Sequence, residues 1–389
     1  MKNLLVLFLF LPTFLFSSYG QTEEYHLVWQ DTFDGGKLDE SLWTIEVNGD
    51  GGGNNELQYY RRENVSVGVE PVSGKNCLIL TARKESFSGK TCTSGRLRTV
   101  GKMEFKYGKL EGRIKLPKTA NGLWPAFWMM GGDYPQVGWP KCGEIDILEM
   151  GNVNGINRGT QERYFSGWFH WGESWNGGSY PNWGRDKTAD YSLQDDFHLY
   201  TVEWDDNSIK MYLDQDQYPD AAPYVEMNIN KSDGTGAGQV GRYFHKPFYV
   251  ILNLAIGGNF TGITGNANID RITAFDKVDD KEPKMYIDYL KLYQKGVDGE
   301  EYHGPELSSA IETMIYSMFK VSYTAGGTLT VEGDLIPAKI SLYNPAGQKI
   351  QEVTNTNSTH VLVLQDGMYI LKIQTHSGYE EAHKLAINY

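Results

Sequence analysis

The stretch Gly143-Glu-Ile-Asp-Ile-Leu-Glu-Met150, GEIDILEM, sets three carboxylates among β-favouring apolar residues. In a strand, alternate side chains share a face. Glu144 and Asp146 therefore point the same way, while plain alternation sends Glu149 to the opposite side. That side would be the core, where an unpaired carboxylate costs several kcal/mol. One extra residue between Asp146 and Glu149, a β-bulge, shifts the pleat and removes the conflict. The stretch reads as a bulged strand with all three acids on one face, lining a groove of the sheet.

The sequence on either side agrees with a sheet. Short apolar segments divided by Gly, Asn and Asp turns run from residue 27 to about 295, among them Cys77-LILTAR83, Gly108-KLEGRIKLP117, His198-LYTVEW204, Phe248-YVILNLAI256 and Met285-YIDYLKLY293. Long helical periodicity is missing, and several segments alternate, as Lys109, Glu111 and Arg113 do against Leu110, Gly112 and Ile114. This predicts an all-β chain whose main part is a two-sheet β-jelly-roll sandwich. Around Lys295-GVDGEEYHGPE306 the composition turns polar, and evenly spaced short strands follow, which predicts a second, small C-terminal β-sandwich. The expected division is 1–20, 21–296, a linker 297–318, and 319–389.

Residues 1–20 carry Lys2, an apolar run from Leu4 to Phe16, and small residues at Ser18 and Gly20, the pattern of a secretory signal peptide. The run is too short to span a bilayer comfortably, so no membrane span is expected in the mature protein. The net charge of −13 argues against a nucleic-acid partner and disfavours strongly sulfated polysaccharides. The 13% aromatic content suits sugar faces and β cores equally. The three cysteines, Cys77, Cys92 and Cys142, cannot all pair within one chain; a Cys77–Cys92 bridge stays open, and Cys142 reads as a small buried residue.

Three carboxyls this close cannot all ionise easily, so at least one pKa must rise. Separated pKa values let one site hold a nucleophile and an acid, and paired carboxyls about 5–5.5 Å apart perform retaining glycoside hydrolysis. Three carboxylates also suit a hard cation, but cation loops favour turn residues, whereas this segment is a strand.

GEIDILEM resembles the bulged Glu-x-Asp-x-x-Glu motif of glycoside hydrolase family 16. "GGGNNELQYY" (51–60), "YGKLEGRIKLP" (107–117), "GLWPAFWMMGG" (122–132), "FHWGESWNG" (169–177), "PFYVILNLAIGG" (247–258) and "MYIDYLKLYQ" (285–294) resemble its laminarinase-like endo-β-1,3-glucanase branch in the same order. The resemblance implies a concanavalin A-like jelly roll and a β-glucan polysaccharide, laminarin-type or mixed-linkage, cut by a retaining mechanism that needs no cofactor. It makes Glu144 the nucleophile, Glu149 the acid/base and Asp146 the residue that tunes both. It implies sugar contacts by Asn55, Glu56, Arg96, Trp124, Trp128, His170 and Trp171. Core packing is the alternative for each Trp, a backbone-bound structural role for His170, a plain turn for Asn55 and Glu56, and a surface position for Arg96. Members often hold a structural Ca²⁺ on the convex side, and the matching positions are Thr32, Gly74 and Asp288; the alternative for Asp288 is a strand cap.

The C-terminal "ISLYNPAGQKI" and "QDGMYILKIQT" resemble the sorting domain of type IX secretion substrates. That resemblance implies a secreted or cell-surface protein that engages the secretion machinery; a monomer is expected. Rival readings are an agar- or porphyran-type galactan hydrolase of the same family and a non-catalytic β-glucan-binding protein, which would be expected to have lost the acids.

Overall fold

The computed structural model describes residues 24–230 and 239–305, and in the C-terminal part 319–324, 328–333, 337–344, 347–354, 367–375 and 380–387. The expected signal peptide and most of the expected linker lie outside the described residues. The chain divides into two compact units, Met1–Glu306 and Leu307–Tyr389.

The first unit is a sandwich of two antiparallel sheets. One has the order β16 (Val225–Asn228), β15 (Ser208–Leu213), β14 (His198–Trp204), β9 (Gly108–Lys115), β18 (Lys284–Gln294), β5 (Asn76–Thr81), β4 (Val65–Val69), with β1 (His26–Asp31) also on β18. The other has the order β13 (Asn182–Thr188), β12 (Tyr164–His170), β11 (Glu144–Met150), β10 (Leu123–Gly131), β17 (Phe248–Ile256), β7 (Arg96–Arg98), β2 (Thr44–Ile45). In that sheet β8 (Glu104–Lys106) joins β17 to β19 (Glu301–His303), and the short β3 (Tyr59–Tyr60) and β6 (Thr93–Ser94) pair beside it.

The alternation seen in the sequence builds these layers. On β9 the residues Leu110 and Ile114 are fully buried and their neighbours are half-buried. β17 is buried along its whole length, which explains its nearly unbroken apolar sequence. Leu97, Phe127, Ile145, Leu148, Phe169, Leu252, Leu110, Ile114, Ile287 and Leu290 meet in one core between the sheets. Each such side chain contributes roughly 1.5–3 kcal/mol by leaving water. Cys77, Cys92 and Cys142 are all free and buried, so the bridge does not form. Burial pushes each thiol up to about 12, which makes all three poor nucleophiles.

The expected linker begins too early. β19 pairs with β8, Gln294 Nε2 donates to the Glu301 carbonyl at 3.1 Å, and Lys106 pairs with Glu301. Residues 297–305 therefore belong to the first unit; their turn-rich composition marks a bend before a final strand. Among the described residues no helix is long and apolar enough to cross a membrane.

In the second unit β20 (Phe319–Thr324) pairs with β21 (Thr328–Gly333), and a four-stranded sheet has the order β23 (Lys349–Thr354), β22 (Pro337–Tyr343), β24 (Gly367–Thr375), β25 (Glu380–Ile387). Val331 of the first pair is buried against Ile340, Leu342, Leu371 and Ile373 of the second sheet, so the two sheets share one small core.

Candidate active site

The bulge lies within GEIDILEM. Against β12 the register slips between Asp146 and Glu149, and against β10 both Asp146↔Trp128 and Leu148↔Phe127 hold, leaving Ile147 as the extra residue. Its side chain stays in the core, and its carbonyl, displaced from the ladder, accepts a hydrogen bond from the buried Tyr224 hydroxyl. Ile145, Leu148 and Met150 also face the core. Glu144, Asp146 and Glu149 share the other face, as the bulge requires.

Cross-strand register arranges that face in three rows. One runs Arg96, Asn253, Ala126, Glu149, Ser166, Asp186; the next runs Arg98, Ile251, Trp128, Asp146, Trp168, Gly184; the third runs Tyr249, Met130, Glu144, His170, Asn182. The acids sit mid-sheet, with aromatic and polar side chains on both flanks.

The hydrogen bonds within this face are specific. His170 Nε2 lies 3.2 Å from Asp146 Oδ2. Trp124 Nε1 donates to Glu149 Oε1 at 3.0 Å, and Trp128 Nε1 donates to Asn253 Oδ1 at 2.7 Å. The Arg96 guanidinium lies 5.0 Å from the Trp128 ring centroid, within cation–π reach. Arg96 and Arg98 both pair with Glu46, at 3.2 and 3.3 Å.

Burial sets the electrostatics. Asp146 is 5% exposed, and burial pushes its carboxyl well above the usual range. Burial first, and then the Asp146 charge, push both Glu144 and Glu149 up to about 8. His170 draws both down, and the Trp124 bond also lowers Glu149. The three acids titrate as one coupled group that retains a proton at neutral pH.

Of the other expected contacts, Asn55 is exposed at φ 58° and donates to Asn259 Oδ1 at 3.0 Å. Glu56 is buried and its Oε2 accepts from Gln58 Nε2 at 2.6 Å and Tyr60 Oη at 3.0 Å. Trp171 is not on the acid-bearing face: it is buried in the main core with its ring 5.9 Å from Phe244. Alternation from the core residue Phe169 already sends it there.

Sequence reasoning missed Trp168, Asn253 and Asp186. Trp168 stacks on His170 at 6.2 Å and 21°. A Cβ at Gly184 would come within 2.3 Å of its ring, so the glycine lets the indole lie across the edge strand. Counting back two residues from His170 finds Trp168, and Asn253 is the lone polar residue of β17. Asp186 carries no local signal; its Oδ2 accepts from the Tyr164 hydroxyl at 2.7 Å.

The expected cation set does not fit an ion as arranged. Asp288 is itself the extra residue of a bulge in β18 against β9 and is 8% exposed. Its Oδ2 accepts from Lys75 Nζ at 2.7 Å and lies 3.8 Å from Arg113 Nε. The ammonium supplies the positive charge that an ion would bring to the one carboxylate of the set, whose other expected ligands are the backbone carbonyls of Thr32 and Gly74. On the acid-bearing face, Glu144, Asp146 and His170 each offer an atom within 4.8 Å of the others, a grouping with the makeup of a cation site as well as of a proton-transfer cluster.

Residues 59–241 match the model of glycosyl hydrolases family 16, and residues 319–388 match the secretion system C-terminal sorting domain. The chain is 37% identical over 242 residues to the glucan endo-1,3-beta-glucosidase of Cryptopygus antarcticus, covering 61% of this chain and 82% of that protein. It is also 37% identical over 275 residues to the clotting factor G alpha subunit of Tachypleus tridentatus, covering 70% of this chain but 34% of the relative, so it spans about a third of that protein. A solved structure from Bacteroides ovatus, a family 16 protein of a mixed linkage glucan locus in complex with a product, is 37% identical with a TM-score of 0.57, covering 68% of this chain and 99% of that one.

Proposed function

The chain belongs to the family 16 glycosyl hydrolases, and from that premise we propose that it is an exported, endo-acting, retaining hydrolase of β-1,3 bonds in laminarin-type or mixed-linkage β-glucan. The observation that carries the reading is the bulge that brings Glu144, Asp146 and Glu149 to one face in the middle of the sheet. Glu144 attacks the anomeric carbon as Glu149 protonates the leaving oxygen; Glu149 then takes a proton from the water that releases the glycosyl group. Asp146, buried and held by His170, lies between the two glutamates and tunes both carboxyls. Trp124, Trp128 and Trp168 supply flat faces for sugar C–H groups. Arg96 shapes this surface through Trp128 and Glu46.

The relative named as glucan endo-1,3-beta-glucosidase supports the linkage. A binding-only role is disfavoured because the chain keeps all three acids. A sulfated galactan is disfavoured by the net charge of −13, with Arg96 and Arg98 sharing Glu46. The sorting-domain match supports export through the type IX route, with residues 1–20 as the inner-membrane signal.

The test is hydrolysis of laminarin, barley mixed-linkage glucan, agarose and porphyran by the full chain beside Glu144→Ala. Glucan cleavage lost in the variant is the expected result. Binding without cleavage, or cleavage of the galactans alone, overturns it.

A further inference from the structure

After β17 the chain turns through Gly257-Gly-Asn-Phe-Thr-Gly262. The Phe260 ring lies face to face on the Trp124 indole, with centroids 4.6 Å apart and planes 11° from parallel. Its backbone is anchored to three other segments. The Phe260 carbonyl accepts from Val153 N at 2.9 Å, Gly257 N donates to the Gly122 carbonyl at 2.7 Å, and Asn259 N donates to the Asn54 carbonyl at 2.8 Å. Gly258 permits the close turn: at φ 89°, a Cβ there would meet the Asn54 carbonyl at 3.1 Å and the Glu56 side chain at 3.3 Å. Phe260 is therefore a fixed plate against one face of Trp124. The edge of that indole carries the N–H that reaches Glu149 Oε1.

We propose that Phe260 is a positioning residue for the acid/base: by clamping the Trp124 indole it aims the Nε1–H and holds the Glu149 carboxyl in one orientation. The inference rests on the reading of Glu149 as acid/base. It gives Trp124 a second duty beside any sugar contact, since one of its faces is taken by Phe260 and its edge by Glu149.

A hydrogen bond to a carboxylate favours the ionised form, so loosening it raises the Glu149 pKa. The titratable groups facing Glu149 are Asp146 and Glu144 on its own strand, His170 from β12 and Asp186 from β13, with Tyr180 beside the acids and Glu56 across Gly258. β10 faces it with Trp124, Ala126 and Trp128, none of which titrates. Phe260 variants leave all of these in place.

The experiment uses the full chain on laminarin with Phe260→Leu, Phe260→Tyr, Trp124→Phe and the Phe260→Leu/Trp124→Phe double variant. Readouts are kcat, KM, the alkaline limb of the kcat/KM profile and Tm. Phe260→Leu lowers kcat on the order of tenfold with KM within about twofold, because small misplacements of a reacting group are costly. It moves the alkaline limb up by about 0.3 pH unit or more, the direction set by a weakened bond to the carboxylate. Phe260→Tyr restores both, Trp124→Phe moves the limb at least as far, and the double variant moves it no further than Trp124→Phe. An unmoved limb in Phe260→Leu, or a raised KM with kcat unchanged, overturns the proposal and makes Phe260 a packing or sugar-contact residue. Full activity in Glu149→Gln, measured alongside, overturns the underlying acid/base reading instead.

Discussion

Tyr224→Phe tests the bulge through a single oxygen atom. The Tyr224 hydroxyl donates to the Ile147 carbonyl, the group that the extra residue displaces from the ladder. The ring is 7% exposed and packs edge-on against Phe165 at 5.0 Å and 72°, a contact that Phe keeps. The substitution therefore makes no cavity beyond the hydroxyl and leaves one buried carbonyl without a partner, at a cost of about 1–3 kcal/mol. For a domain of this size that is a fall in Tm of about 2–12 °C. Because Ile147 sits two residues before Glu149, the aim of the acid/base suffers too, and kcat should fall roughly threefold to thirtyfold with KM within about twofold. Tyr200→Phe is the control: Tyr200 is fully buried, and among the described residues its hydroxyl has no hydrogen-bond partner, so its removal should be neutral or stabilising. Calorimetry and laminarin kinetics on the two variants decide. Equal Tm changes in both, or an unchanged kcat in Tyr224→Phe, would refute the reasoning.

Other outcomes follow from the charges. Glu149 holds its proton to about 8 when folded and only to its ordinary 4.5 when unfolded. Between those values the folded state binds more protons, so stability falls as pH rises through this window; Glu149→Gln should gain on wild type by at least about 1 kcal/mol from pH 5 to 8.5, and a pH-independent Tm difference would contradict this. Asp214 is buried and accepts from the Tyr191 hydroxyl and Leu199 N at 2.8 Å, with His198 Nδ1 at 2.7 Å. Asp214→Ala strands all three partners and should cost about 3–5 kcal/mol by denaturant unfolding while leaving the laminarin KM unchanged. With Lys75 on Asp288, the Tm of the full chain should move by less than about 1 °C between EDTA and millimolar Ca²⁺, whereas a bound ion would raise it by several degrees.

The bulge was legible because a carboxylate is too costly to bury alone, and spacing then leaves one solution for Glu144, Asp146 and Glu149. The second unit was legible because its strands restart after a polar stretch. Long-range partners were not. No sequence rule brings Phe260 onto Trp124, or Lys75 onto Asp288, since each pair meets only when the sheets are assembled. Trp171 follows the alternation that places it with Phe169 in the core, against the motif context that puts it beside the acids. The boundary near residue 296 was not legible, because glycine and charge around residues 296–300 mark a turn as readily as a domain boundary.

The central claim is double displacement by Glu144 and Glu149. Following the anomeric proton of the newly formed reducing end by NMR in the first minutes of laminarin hydrolysis tests it most directly. The account predicts that the β-anomer appears first and then mutarotates. First appearance of the α-anomer would mean a single inverting displacement and would contradict the account.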